Sequence, residues 1–249
     1  MNDDLARDAR PVLHEDTEKL TKIIHEGGRT QPEDRPLLVC KPRKVESWRI
    51  FKIMSEFIEG FDVIRRYGLA ATFFGSSRPM LHDDSYVGAE ELARRLSQKG
   101  FAIVTGGSSG IMQAANKGAF EVGGASVGLN VSLSEAQDYN PYLTEKFVFD
   151  HFFVRKVMLT YASEVYVYFP GGFGTLDEFF EIVTLIQTKK LRAVPLVLIG
   201  REYWEPLLSF IEKTLYEKYA AIDKADMKLY TLVDSIDEAY EYITKNVSC

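Results

Sequence analysis

The chain has 249 residues, a formal net charge of −6 and 46% hydrophobic residues. That content is ample for a buried core, and the acidic balance excludes a general electrostatic footprint for nucleic acid. Cys40 and Cys249 are the two cysteines, too far apart in sequence to suggest a zinc spacing or a disulfide framework, which fits a reducing, cytoplasmic compartment. The start, Met1 to Arg7, carries acids and no apolar stretch, so no secretory leader is expected. No apolar run is long enough to span a bilayer, so no membrane partner is expected either.

Residues 1–45 are charged, mixed in sign and punctuated by Gly27-Gly28, Pro32, Pro36 and Pro42. They read as a partly ordered extension, with Leu20, Ile23 and Ile24 as one short amphipathic turn. Residues 46–249 read as a single nucleotide-binding domain. From Ser47 to Arg66 the residues Ile50, Ile53, Met54, Phe57, Ile58, Phe61 and Ile64 form one apolar stripe at helical spacing. It is either a face packed on the sheet or a subunit contact. Gly68–Phe74 predicts a first buried strand, running into Gly75-Ser76-Ser77-Arg78-Pro79. Small residues followed by a cation at a strand's carboxyl end suit a phosphate or ribose contact.

Ser85–Lys99 is predicted as a helix, stopped by Gly100, and Phe101–Thr105 as the second strand. Gly106-Gly107-Ser108-Ser109-Gly110 then opens a helix that Ser108 or Ser109 can cap. The full G-x-G-x-x-G spacing is absent, so no NAD site is expected. Gly124–Val131 predicts a third strand, Ser132–Tyr142 a polar loop bordering the pocket, and Lys146–Phe149 a short strand. Phe152–Ala162 predicts a helix with Arg155 and Lys156 in its first turns, and Glu164–Phe169 the next strand.

That strand feeds Pro170-Gly171-Gly172-Phe173-Gly174-Thr175-Leu176-Asp177-Glu178, and a helical face of Leu176, Phe179, Phe180, Val183 and Ile186 follows. Glycines let a ligand approach the backbone, and a helix start offers unpaired N–H groups and the positive end of its dipole. Strand, glycine turn and helix together make an anion site, with phosphate the obvious guest. Thr175 to Glu178 also matches a capping box, Thr at N-cap and Glu at N3, so Glu178 reads either as a cap or as a reactive carboxylate. Glu181, one turn on, is a supporting carboxylate, a partner in catalysis or a solvated charge. Ala193–Ile199 predicts a strand, Tyr203–Tyr219 a helix with Trp204 inward, Leu229–Val233 a weaker strand, and a last helix capped by Asp234 or Ser235. Strands alternating with helices predict an α/β fold, a doubly wound parallel sheet with helices on both faces. His151 reads as structural, no metal spacing links His14, His25 and His82, and Ser76 and Ser77 have no histidine–carboxylate partnership.

Four blocks carry a resemblance: Phe-Gly-Ser-Ser-Arg-Pro at 74–79, Thr-Gly-Gly-Ser-Ser-Gly-Ile-Met-Gln-Ala-Ala-Asn-Lys-Gly-Ala at 105–119, Arg155-Lys156, and Pro-Gly-Gly-Phe-Gly-Thr-Leu-Asp-Glu at 170–178. Their order resembles the "Lonely guy" (LOG) family of cytokinin riboside monophosphate phosphoribohydrolases, whose relatives were long labelled possible lysine decarboxylases. The resemblance implies a Rossmann-like homodimer, or a higher homo-oligomer. It implies hydrolysis of the N-glycosidic bond of a nucleoside 5'-monophosphate, of the AMP or cytokinin riboside monophosphate type, with neither metal nor cofactor. Carried over by motif, Arg155 and Glu178 are the catalytic pair. Gly75, Ser76, Ser77, Gly106, Gly107, Lys156, Gly171, Gly172, Phe173, Gly174, Thr175, Leu176, Asp177, Glu181 and Thr184 are substrate contacts. This chain departs from the family pattern at Ser108, glycine in many relatives, and at His151-Phe152-Phe153-Val154, where plant-like members have Met-His-x. The rival readings are a molybdenum-cofactor carrier, a nucleotide sensor, and a pyridoxal-phosphate decarboxylase. The last needs a Schiff-base lysine for which no context is visible.

Overall fold

The computed structural model describes residues 47–78, 84–132 and 140–247. The expected extension over 1–45, Pro79, His14, His25, His82, Cys40, Cys249 and residues 133–139 of the polar loop lie outside the described residues.

In chain order the elements are α1 (Ser47–Ile64), β1 (Ala70–Phe74), α2 (Asp84–Gln98), β2 (Ala102–Thr105), α3 (Ile111–Glu121), β3 (Ser126–Val131), β4 (Glu145–Phe149), α4 (Phe152–Tyr161), β5 (Val165–Tyr168), α5 (Phe173–Gln187), β6 (Leu196–Ile199), α6 (Arg201–Phe210), β7 (Thr231–Val233) and α7 (Ile236–Asn246). Helix α6 runs on into wider π-type turns over Ile211–Lys218. The strands form one parallel sheet in the order β4-β3-β2-β1-β5-β6-β7. Strands β1, β2, β3, β5 and β6 are buried at every position, which is why their sequences are nearly unbroken apolar runs. The edge strands β4 and β7 are only part-buried and carry Glu145, Lys146 and Thr231.

Two cores cover the two faces. Val154, Met158, Phe179, Ile182 and Trp204, from α4, α5 and α6, pack on one. Leu92, Leu96, Ala115, Ala239 and Ile243, from α2, α3 and α7, pack on the other. The sheet is therefore doubly wound, as its alternating pattern predicts. The chain builds outward from β1 to β4 and then returns to place β5 beside β1. The switch point lies between β1 and β5, where such sheets open a crevice at the carboxyl ends of the strands.

Three local expectations are corrected. First, the α1 stripe does not pack as one face. Ile50, Met54, Ile58 and Phe61 are exposed, whereas Glu56, Gly60, Val63 and Ile64 are buried, with Ile53 and Phe57 partly buried against the core. Glu56 faces inward with them: its carboxylate accepts from the His151 backbone N–H at 3.1 Å and meets His151 Nδ1 at 2.9 Å. His151 is thus the structural histidine expected. Second, α5 starts at Phe173 with Gly172 as N-cap, so Thr175 and Glu178 form no capping box. The glycines let the helix begin early and carry Glu178 onto its buried face. Third, Gly110 rather than Ser108 or Ser109 is the N-cap of α3, while Ser109 Oγ donates to the Ser77 carbonyl at 2.5 Å. Ser235 caps α7 as expected, accepting from Glu238 N at 3.1 Å.

Candidate active site

Three strand ends converge at the switch point. Ser76 N donates to the Pro170 carbonyl at 3.0 Å and Ile111 N to the Ser76 carbonyl at 2.9 Å, so the turns after β1, β2 and β5 fix one another. Gly110 is required at this junction. Its φ is +68, and a Cβ there would overlap the Ser76 carbonyl oxygen. Gly171 is required by close approach, because a Cβ would overlap the Thr175 hydroxyl.

Between these turns lies a cavity of about 590 Å³, a size that fits a nucleotide-scale ligand. Gly75, Ser76 and Ser77 line it from β1, Gly106 from β2, and Gly171, Gly172, Gly174 and Thr175 from β5. The first intrahelical bond of α5 that bridges the turn runs from Leu176 N to Gly172 O. The N–H groups of residues 173–175 are left over by the helix, and its N-cap residue, Gly172, makes no side-chain cap hydrogen bond. An anion held there also meets the positive end of the helix dipole.

Arg155, from α4, and Glu178, from α5, face each other across the cavity with Nη2 and Oε1 3.9 Å apart. Glu178 is 4% exposed. Burial pushes its pKa up to about 7, against the pull of the Arg155 and Lys156 cations. Burial likewise pushes the Arg155 guanidinium down from its usual value, opposed by Glu178 and Asp177. Glu178 Oε2 and Arg155 Nε have no hydrogen-bond partner among the described residues. The guanidinium lies over the Phe152 ring at 4.7 Å. A buried carboxylate with a free oxygen, a cation opposite and an anion cradle one turn away can hold a phosphorylated sugar and stabilise positive charge developing on it.

The other expected contacts stand outside the cavity lining. Lys156 bridges Asp177 at 2.6 Å and Glu181 at 3.3 Å. Burial pulls its ammonium down, but those carboxylates outweigh that and the net direction is up. Gly107 is buried behind the turn, Leu176 packs on the core, Phe173 is 94% exposed, and Thr184 is exposed further along α5. The cavity also takes in Arg78, Met112 and Tyr203, none of which the motif carry-over assigns. The sequence signal for Tyr203 is a third strand–glycine–helix junction, Ile199-Gly200-Arg201. Among the described residues, no group of three or more His, Cys, Asp or Glu side chains could hold a metal ion, and no helix is long and apolar enough to cross a membrane.

The parallel sheet, wound on both faces and with glycine turns at its switch point, is a Rossmann-like fold. The family model described as "possible lysine decarboxylase" matches residues 112–243, and the chain belongs to that family. It is 32% identical over 137 residues to a cytokinin riboside 5'-monophosphate phosphoribohydrolase of Rhodococcoides fascians, covering 53% of this chain and 68% of that protein. A probable cytokinin riboside 5'-monophosphate phosphoribohydrolase of Oryza sativa subsp. japonica is 28% identical over 159 residues, covering 63% and 64% respectively. The matched stretch thus spans about two thirds of the length of these relatives. The molybdenum cofactor carrier protein of Chlamydomonas reinhardtii shares the fold, with a TM-score of 0.55 at 22% identity over 71% of this chain and 96% of that one. So does the molybdenum cofactor binding protein of Rippkaea orientalis, with a TM-score of 0.52 at 17% identity over 72% and 96%.

Proposed function

We propose that this chain hydrolyses the N-glycosidic bond of a nucleoside 5'-monophosphate, of the AMP or cytokinin riboside monophosphate type. The observation that carries the reading is Glu178, a buried carboxylate with an unpartnered oxygen, set opposite Arg155 in the cavity that the uncapped start of α5 opens onto. The 5'-phosphate sits on the N–H groups of residues 173–175, with Ser76 and Ser77 beside it. Its binding energy orients the ribose toward Glu178. As the C1'–N bond breaks, positive charge grows on the ribose and the Glu178 carboxylate stabilises it. The oxygen of water bonds to C1', one proton of that water ends on the departing base, and the products are free base and ribose 5-phosphate. Arg155 donates hydrogen bonds to base or ribose as a clamp rather than as an acid, since a guanidinium gives up its proton poorly.

Residues 46–249 are the nucleotide-binding domain of this reading. Lys156, Asp177 and Glu181 form a salt-bridged brace behind the catalytic pair rather than nucleotide contacts. A homodimer or higher homo-oligomer belongs to the same reading, with the exposed Ile50, Met54, Ile58 and Phe61 of α1 as the surface a second copy covers. Ile58→Glu then lowers the mass measured by light scattering. The decarboxylase reading is disfavoured because no lysine is among the described residues that line the cavity. The carrier reading draws on the shared fold with the molybdenum-cofactor proteins, and turnover separates it from the hydrolase. Incubation with a panel of nucleoside 5'-monophosphates and the matching nucleosides should release base from the monophosphates alone. Silence across the panel with nucleotide still bound would turn the reading to a carrier or sensor.

A further inference from the structure

We infer that Tyr203 is a positioning residue for the phosphate turn, holding the Gly171–Gly172 peptide in the orientation that accepts an anion. The inference rests on the phosphate-site reading above and assigns that site a residue from a third strand end. Gly200 follows β6 with φ +98 and packs against Pro170, a Cβ there coming 3.7 Å from the Pro170 ring. This turn starts α6 beside the phosphate turn and brings Tyr203 to the cavity wall. The Tyr203 ring meets buried Trp204 edge-on, 4.9 Å between centroids and 85° between planes. Its hydroxyl donates to the Gly171 carbonyl at 2.7 Å.

Two consequences follow from elementary geometry. A peptide between two glycines has no Cβ on either side and turns over with little steric penalty. The C=O and N–H of a trans peptide point in opposite directions, so fixing the Gly171 oxygen on Tyr203 also fixes the direction of the Gly172 N–H. In addition, the Gly171 carbonyl stands at the wall of a cavity read as an anion site, and its partial negative charge would repel phosphate. The Tyr203 proton covers that charge. Because Tyr203 acts on the phosphate end and not on the breaking bond, its loss should weaken binding and spare the chemical step.

The test is Tyr203→Phe, which keeps the ring and removes only the hydroxyl. Calorimetry with ribose 5-phosphate as the probe should show Kd raised roughly two- to tenfold, the range one hydrogen bond supplies. For any monophosphate turned over, KM should rise by the same factor with kcat unchanged. An unchanged Kd, even with a lowered Tm, would reduce Tyr203 to a packing residue and overturn the inference. Failure of the wild-type protein to bind ribose 5-phosphate would overturn it as well. The hydrolase reading fails separately. A Kd difference between wild type and Tyr203→Phe, with no base released from any nucleotide, keeps the positioning role and removes the catalysis.

Discussion

The turns after β2 and β5 share one sequence grammar, strand then glycines then helix, and end as different devices. The β2 turn is tied to Asn116 and Asn140. Gly107 N donates to Thr105 Oγ1 at 2.9 Å, and Thr105 Oγ1 to Asn116 Oδ1 at 2.5 Å. Asn140 closes the turn from another segment: its backbone N–H meets Gly107 O at 3.2 Å, and its side chain donates to Ser108 O at 3.1 Å and Asn116 Oδ1 at 3.0 Å. The β5 turn is held by its carbonyls instead, Pro170 O by Ser76 and Gly171 O by Tyr203, and the N-cap glycines after both turns, Gly110 and Gly172, make no side-chain cap hydrogen bond. The two turns thus differ in what ties them down, Asn116 and Asn140 for the one, the β1 turn and α6 for the other.

The largest break in this comparison is chemical. Glu178→Gln removes a buried carboxylate whose Oε2 has no hydrogen-bond partner among the described residues, and keeps its shape. Base release should fall on the order of 1000-fold, the scale of losing a main charge-stabilising group, while ribose 5-phosphate binding stays within about threefold. Near-normal turnover in this variant would move the chemistry off Glu178.

The second break uses pH. Below pH 4.5, the ordinary Glu value, Glu178 is protonated in folded and unfolded chains alike. Between there and about 7 the unfolded chain gives up a proton that the folded chain retains, so the folded state loses stability as pH rises. Above about 7 the deficit is constant. Glu178→Gln should therefore stabilise the protein by up to roughly 3 kcal/mol at pH 8 and by little near pH 4, as read by denaturant melts at both. The activity of the wild-type protein should run the opposite way, rising with pH through about 7 as the carboxylate forms. A pH-independent difference between the two proteins would mean that the carboxylate is not strained by burial.

Much of this was legible in the sequence, for identifiable reasons. The buried parallel strands announce themselves as apolar runs, and the glycine turns mark strand-to-helix junctions directly. The Arg155–Glu178 pair came from motif blocks, because two residues on different helices carry no signal in spacing that they meet. What sequence reading misplaced was decided by long-range contacts. On α1 the inward face includes Glu56, whose partner His151 lies 95 residues away. That Lys156 pairs with Asp177 and Glu181 depends on where those two acids fall on α5. Tyr203 was passed over because its neighbour Trp204 explains the helix as core, and nothing local marks the hydroxyl's partner.

The scaffold turn gives the next test. Asn140→Ala strips the hydrogen bonds to Ser108 and Asn116 and leaves buried acceptors behind. It should cost about 2 kcal/mol in a denaturant melt. Unlike the effect of Glu178→Gln, that loss should be the same at pH 5 and pH 8, because no titratable group takes part in it. The kcat of the folded fraction should stay within about twofold.

The smallest expected effect is the sharpest test of whether the two turns are separate devices. Asn140 and Tyr203 share no hydrogen-bond partner. Asn140→Ala and Tyr203→Phe should therefore act additively on ribose 5-phosphate affinity, within about 0.5 kcal/mol in a double-mutant cycle. The turn after β1 is a physical route between them, since Ser76 meets Pro170 on one side and Ile111 on the other. If that bridge transmits strain, the cycle will show a coupling near 1 kcal/mol or more. Ser109→Ala, which removes the tie to the Ser77 carbonyl and leaves the Ser76 backbone bonds, should then weaken the coupling. A large coupling that survives Ser109→Ala would mean that scaffold and binding turn form one cooperative unit, with the division between them lying in sequence position and not in energetics.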